Sequence, residues 1–160
     1  MDDRFRTMLL ASPVLKLHQA TALVDRVADR YLRGAHGISY SHFVVLLTIG
    51  VLGRPHQRAV ADSLDVSRAS ITQRVAALQE CGLVRVARDE ADARSQRVSL
   101  TDDGELLLVT AWRGLDEHDS GLDHGVDIQA LERELDTVIQ NGRRYLGLPD
   151  RPPAEQEDRP

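Results

Sequence analysis

Residues 67–104 read SRASITQRVAALQECGLVRVARDEADARSQRVSLTDDG, and local order runs through them almost without a gap. Ser67 is placed to cap a helix whose apolar residues Ile71, Val75 and Leu78 recur at spacings of four and three, and Gly82 supplies the left-handed residue that ends it. This helix has about four turns. Beyond Gly82 the period falls to two: Val84 and Val86 share one face, Leu83, Arg85 and Ala87 the other, and Gln96 to Leu100 alternates likewise. Between these strands, Asp89 to Ser95 holds no apolar residue larger than alanine, so the tip is expected to project into water or toward a charged partner. A helix followed by a projecting hairpin is a winged helix-turn-helix.

Working outward, Ser12 and Pro13 open an amphipathic helix to Arg33 with Leu17, Ala20, Val24, Val27 or Ala28 and Tyr31 on one stripe, and Gly34 and Gly37 are expected to break it. Tyr40 to Leu52 is almost continuously apolar and belongs in the centre of the core; Gly53, Arg54 and Pro55 end it. Arg58 to Leu64 gives a short helix, and Asp65 tolerates the positive φ of a tight helix-turn-helix corner. Thr101 caps a linking helix, 102–118, with Asp102 and Asp103 at the positive end of its dipole. A polar loop leads to a last amphipathic helix, about 126–146, striped by Leu131, Leu135, Val138, Ile139, Tyr145 and Leu146, and residues 149–160 read as a disordered tail. The expectation is a mainly α fold with a small β-hairpin: one domain over 1–148, with its winged helix at about 39–104. Flanking helices at 12–33 and 126–146 carry apolar stripes that a second copy would cover in a C2 homodimer.

The composition, 42% hydrophobic but 4% aromatic, suits an aliphatic helical protein with a real core. No apolar run reaches the roughly eighteen residues that span a bilayer, so a cytoplasmic location and no membrane partner are expected. Net charge is −5, yet its placement favours a polyanion partner: residues 54–97 hold eight Arg and six acids, whereas 101–160 hold six Arg and fifteen acids. No phosphate loop, catalytic triad or ligand cluster is present, so neither an enzyme nor a cofactor is expected. The single cysteine, Cys81, reads as a packed structural thiol, and the spacing of His118 and His124 is not a usual zinc spacing.

The stretch resembles the DNA-binding core of the MarR family of bacterial transcriptional regulators. The resemblance rests on Cys81-Gly82-Leu83-Val84 ending the recognition helix, Asp92-Ala93-Arg94 at the wing tip, and Leu100-Thr101 with Gly104 opening the next helix, and it covers roughly residues 12–146. Asp65 stands where the family usually has glycine, and Gln73 where many members have arginine. The resemblance implies a homodimeric repressor on an inverted-repeat operator in double-stranded DNA, relieved by a small aromatic effector bound between dimer region and wing domain. His18, Tyr31, Tyr40, His42 and Trp112 are the candidate pocket residues by position. A winged helix that binds another protein instead of DNA is the alternative.

With Ile71, Val75 and Leu78 inward, the recognition helix turns Ser70 and Gln73 outward, with Arg68, Thr72 and Arg74 on its flanks. Gln73 can pair with an adenine edge, and Arg68 and Arg74 can reach guanine or phosphate. At the wing, Arg94 is the candidate minor-groove finger with Asp92 holding it in line, while Arg88 and Arg97 at the strand ends would touch phosphate.

Overall fold

The structure is a computed structural model that describes residues 2–89 and 96–148. It divides into two compact units, Met1–His118 and Asp119–Pro160.

The first unit begins with α1 (Asp3–Leu10) and α2 (Pro13–His36). α1 was not anticipated from the residue pattern. Asp2 starts it by accepting the Arg4 N–H, and its apolar residues Phe5, Met8, Leu9 and Leu10 are exposed. α2 runs straight through Gly34, contrary to the expected break, because a lone glycine lowers helix stability by only about 1 kcal/mol. Gly37, at φ 66°, is the residue that stops it. α3 (Tyr40–Leu52) is capped by Ser39, whose hydroxyl accepts the His42 N–H. Phe43, Val45, Leu46 and Ile49 on α3 are at most 1% exposed. Burying each such side chain contributes about 1.5–3 kcal/mol, which makes α3 the post around which the unit packs.

α4 (Gln57–Leu64) and α5 (Arg68–Glu80) form the helix-turn-helix, with Asp65 at φ 52° in the corner. β1 (Val84–Arg88) pairs antiparallel with β2 (Gln96–Leu100), placing Val84 opposite Leu100 and Val86 opposite Val98. A third segment joins them: the Val98 N–H donates to the Pro55 carbonyl at 2.9 Å and His56 bridges to Arg97. Val84 and Val98 face inward onto Val60, Ile71, Val75 and Leu78 in one core.

α6 (Asp102–Glu117) starts at a backbone joint. α5 ends in a Schellman turn, the Leu83 N–H donating to the Leu78 carbonyl and the Gly82 N–H to the Gln79 carbonyl, both at 2.9 Å, with Gly82 at φ 73°. Thr101 closes on that turn. Its N–H donates to the Leu83 carbonyl at 3.1 Å, its hydroxyl donates to the Gly82 carbonyl at 2.7 Å, and the same hydroxyl oxygen accepts the Gly104 N–H at 3.0 Å. Farther along α6, Gly114 admits the Tyr31 hydroxyl of α2 where a β-carbon would collide with it.

The second unit is described through α7 (Ile128–Tyr145). The Asp127 side chain caps it by accepting the Ala130 N–H at 2.9 Å, and Arg143 and Arg144 sit in its last turn, where they complement the helix dipole. No residue of α7 is buried, and Leu131, Val138, Ile139 and Tyr145 are exposed. No single described helix is long and apolar enough to cross a membrane.

Candidate nucleic-acid interface

α5 presents one face to the core and leaves the other open. Ser67 accepts the Ser70 N–H at 3.2 Å, which fixes the first turn, and Ile71, Val75 and Leu78 are at most 2% exposed. On the open side Arg68, Ala69, Thr72, Gln73 and Ala76 are exposed, while Ser70, Arg74 and Ala77 are half-buried. The alanines leave the helix backbone approachable by a groove. Thr72 is partly engaged inside the protein, since its hydroxyl lies 3.0 Å from both Gln57 Oε1 and the Arg68 carbonyl and thus ties α5 to the start of α4. Arg74 acts on His42 of α3. Burial holds the His42 imidazole below its usual range, and the charges of Arg74 and then Arg33 push it further the same way.

The base of the wing differs from the reading of its residues as a solvated tip. Asp89 is buried, its side chain 7% exposed, and its Oδ2 accepts the Arg97 Nε–H at 2.8 Å and lies 3.2 Å from His56 Nε2. Arg97 also donates from Nη1 to the Arg54 carbonyl at 3.0 Å. The Arg97 guanidinium thus braces the hairpin base while its side chain stays 39% exposed, and Arg88 at the end of β1 is exposed. The polar sequence Asp89–Ser95 concealed this because the partners of Asp89 lie across the hairpin and before α4. Asp92 and Arg94 lie outside the described residues.

A cavity of about 420 Å³ opens between the end of α2, the start of α3 and the end of α5. Arg33, His36, Ser39 and His42 supply its polar wall, and Ile38, Ala77, Leu78, Leu83 and Leu107 its apolar one. Cys81 also lines it and is exposed, which corrects the expectation of a packed thiol: the Schellman turn aims position 81 outward. Of the five residues expected in an effector pocket, His42 alone lines this cavity. Tyr31 stacks on His118 with ring centroids 4.7 Å apart, and Trp112 lies parallel to Phe43 at 6.5 Å. Tyr40 is half-buried, its backbone N–H bonded to Asp29, and His18 is exposed on α2. Arg33 and His36 went unread, although their place in the last turn of α2 puts them beside the helix end. Among the described residues no group of three or more His, Cys, Asp or Glu is placed to hold a metal ion.

A three-helix core carrying a capped, outward-facing helix and a braced hairpin defines a winged helix-turn-helix protein. Comparison with known proteins finds similar chains. The MarR family model matches residues 36–95, and the transcriptional regulator PecS of Dickeya dadantii is 28% identical over 105 residues, 64% of this chain. That match spans 61% of PecS. Among solved structures, CouR on a 23-mer DNA duplex superposes with a TM-score of 0.74 at 22% identity, covering 84% of this chain and 95% of that one. A cysteine-to-serine mutant of MarR from E. coli, complexed with operator DNA, superposes at 0.72 and 22% identity, covering 87% and 99%. CouR from Rhodococcus jostii bound to p-coumaroyl-CoA superposes at 0.72 and 20% identity, covering 83% and 93%. The matched segment runs from the end of α2 through the helix-turn-helix and β1, and the solved structures share the winged-helix fold.

Proposed function

We propose that this protein is a cytoplasmic, homodimeric repressor that binds an inverted-repeat operator in double-stranded DNA. The observation that carries the reading is the open face of α5, where exposed Arg68 and Gln73 flank small residues on a helix rigidly held by Ser67 and the core. Ser70, Thr72 and Arg74 complete its polar surface, and Arg88, with Asp92 and Arg94 beyond it in sequence, supplies the wing. MarR and CouR, solved on DNA, share this fold, which supports the assignment. Two half-sites need two reading helices, and the uncovered apolar stripes of the terminal helices favour a second copy.

The cavity beside α5 serves in this reading as the effector site, with Arg33 and His42 offered to a polar group and the apolar wall to a small aromatic body. An effector there relieves repression only by binding unequally to the DNA-competent and DNA-incompetent dimer. Fluorescence anisotropy with duplexes from the protein's own promoter region, over a salt series, tests the function. Specific, salt-sensitive binding is expected; binding to no duplex, together with capture of a protein partner, would favour the winged helix as a protein-interaction module.

A further inference from the structure

A second cavity, of about 290 Å³, lies between α5, the hairpin and the start of α4. Thr72, Ala76 and Gln79 of α5 line it at spacings of four and three, so one stripe of that helix faces it. Gln57 of α4 and Gln96 of β2 complete its polar lining, and Val86 of β1 adds an apolar patch. Among the described residues its polar side chains are therefore three carboxamides and one hydroxyl, with no charge. One carboxamide is tethered: the Thr72 hydroxyl lies 3.0 Å from Gln57 Oε1, which occupies the acceptor end of that amide and leaves its two Nε2–H bonds to donate. Gln79 and Gln96 are exposed, so their carboxamides can turn N–H groups toward a ligand.

We propose that this cavity seats one sugar–phosphate unit of a DNA strand, held by the neutral carboxamide donors of Gln57, Gln79 and Gln96 and not by a cation. The proposal rests on the DNA-reading role of α5 and the hairpin given above, and groove geometry supplies the rest. Adjacent major and minor grooves are separated by the backbone of a single strand, so a duplex that receives α5 in one and the hairpin in the other carries that strand between helix and hairpin. The space between them is this cavity, and amide N–H groups are suited to phosphate oxygens. A seat without Lys or Arg neutralises no phosphate, so it adds little to the salt dependence of binding. Its effect is on register: Gln73 follows Thr72 on α5, and a strand fixed against the stripe at 72, 76 and 79 sets how deeply Gln73 reaches the base edges.

Duplex affinity can be measured for the wild type, Gln57→Glu and Gln79→Glu against a specific duplex, a scrambled one, and a set in which single phosphates of one half-site are replaced in turn by neutral methylphosphonate. At about 0.15 M salt, exposed charges more than about 8 Å apart are screened, so only a nearby phosphate registers the new carboxylate. Gln57→Glu can keep the bond from Thr72, and an acid suits the first turn of α4, so the fold is expected to persist. Gln79→Glu, at an exposed position, carries the test should it not. Each carboxylate is expected to weaken binding about tenfold on specific and scrambled duplexes alike. That loss should disappear at a methylphosphonate position shared by the two variants. Wild-type affinity in both variants, or a loss that no single neutral linkage removes, overturns the proposal while leaving the DNA-binding reading in place. Binding to no duplex by the wild type removes that reading and the seat together, so the two failures are told apart.

Discussion

Gly104, in the first turn of α6, lies directly against the main-chain carbonyl of Leu83, so closely that a β-carbon at position 104 would overlap the carbonyl oxygen. Both sides of that contact are backbone, held by the Thr101 hydrogen bonds, and neither can swing away. Gly104→Ala is therefore expected to destabilise the fold by about 3 kcal/mol, the upper part of the range for overpacking, despite the roughly 1 kcal/mol that alanine gains within a helix. Gly34→Ala is the contrast: inside α2, a β-carbon at position 34 meets nothing within 4 Å, and the change should stabilise by about 0.5–1 kcal/mol. Urea unfolding of both variants checks this, and equal midpoints would remove the argument.

Dimerisation through the terminal helices is expected to fail when charge is placed on α7. Val138 is 54% exposed and Leu135 half-buried on the apolar stripe, so the double change Leu135→Asp, Val138→Asp should give monomers that lose specific binding while the winged-helix unit stays folded. Sedimentation at micromolar concentration decides it, and a monomeric wild type would sink the dimer.

If α5 and the wing both read DNA as proposed, the two elements separate by what each can touch. Gln73→Ala should relax preference at one base pair per half-site, a loss of about 1–3 kcal/mol against the best operator and little on scrambled DNA. Arg94→Ala, beyond the described residues, should weaken both duplexes together and flatten the slope of log affinity against log salt. An unchanged slope and unchanged affinities would make the wing a bystander.

Two groups shape the acid side of a pH profile. The Arg33 guanidinium, then the Tyr40 N–H, hold the Asp29 carboxyl below its usual range, so its contribution is present above the unfolded value and is lost as pH falls through the folded one. His42 is also lowered, chiefly by burial, which means the folded state resists its protonation: stability is full above the ordinary histidine range and declines as pH falls through it. Thermal midpoints measured from pH 8 down to 5 should fall in the wild type and fall less in His42→Gln. A parallel pair of profiles would mean that His42 titrates without consequence for folding.

An exposed Cys81 on the cavity wall is expected to react with iodoacetamide in the folded protein without denaturant, and a cavity ligand should slow that reaction. Mass spectrometry of the alkylated fraction measures it; protection until unfolding would place the thiol inside the core after all.

Much of the fold was legible because its boundaries are written in local chemistry. Ser67 and Thr101 each cap the helix that follows, and α3 spans Tyr40–Leu52 as its apolar run implied. Asp65 takes the left-handed corner that few non-glycine residues tolerate. What stayed hidden depends on residues distant in sequence. Asp89 looks like any charged turn residue until His56 and Arg97 are folded onto it, and no local period announces that burial. The cavity likewise draws its walls from three helix ends, so neither Arg33 nor His36 could be singled out by pattern. α1 was passed over for a different reason: it is short and has no buried residue.

The joint where Thr101 and Gly104 meet Gly82 and Leu83 is made mostly from main-chain atoms, with one hydroxyl as its pin. It therefore asks nothing of the side chains on the open face of α5. If α5 reads DNA as proposed, Arg68 and Gln73 can be exchanged without disturbing the mount that carries them, so a new operator preference can be grafted at those positions while the joint is inherited intact.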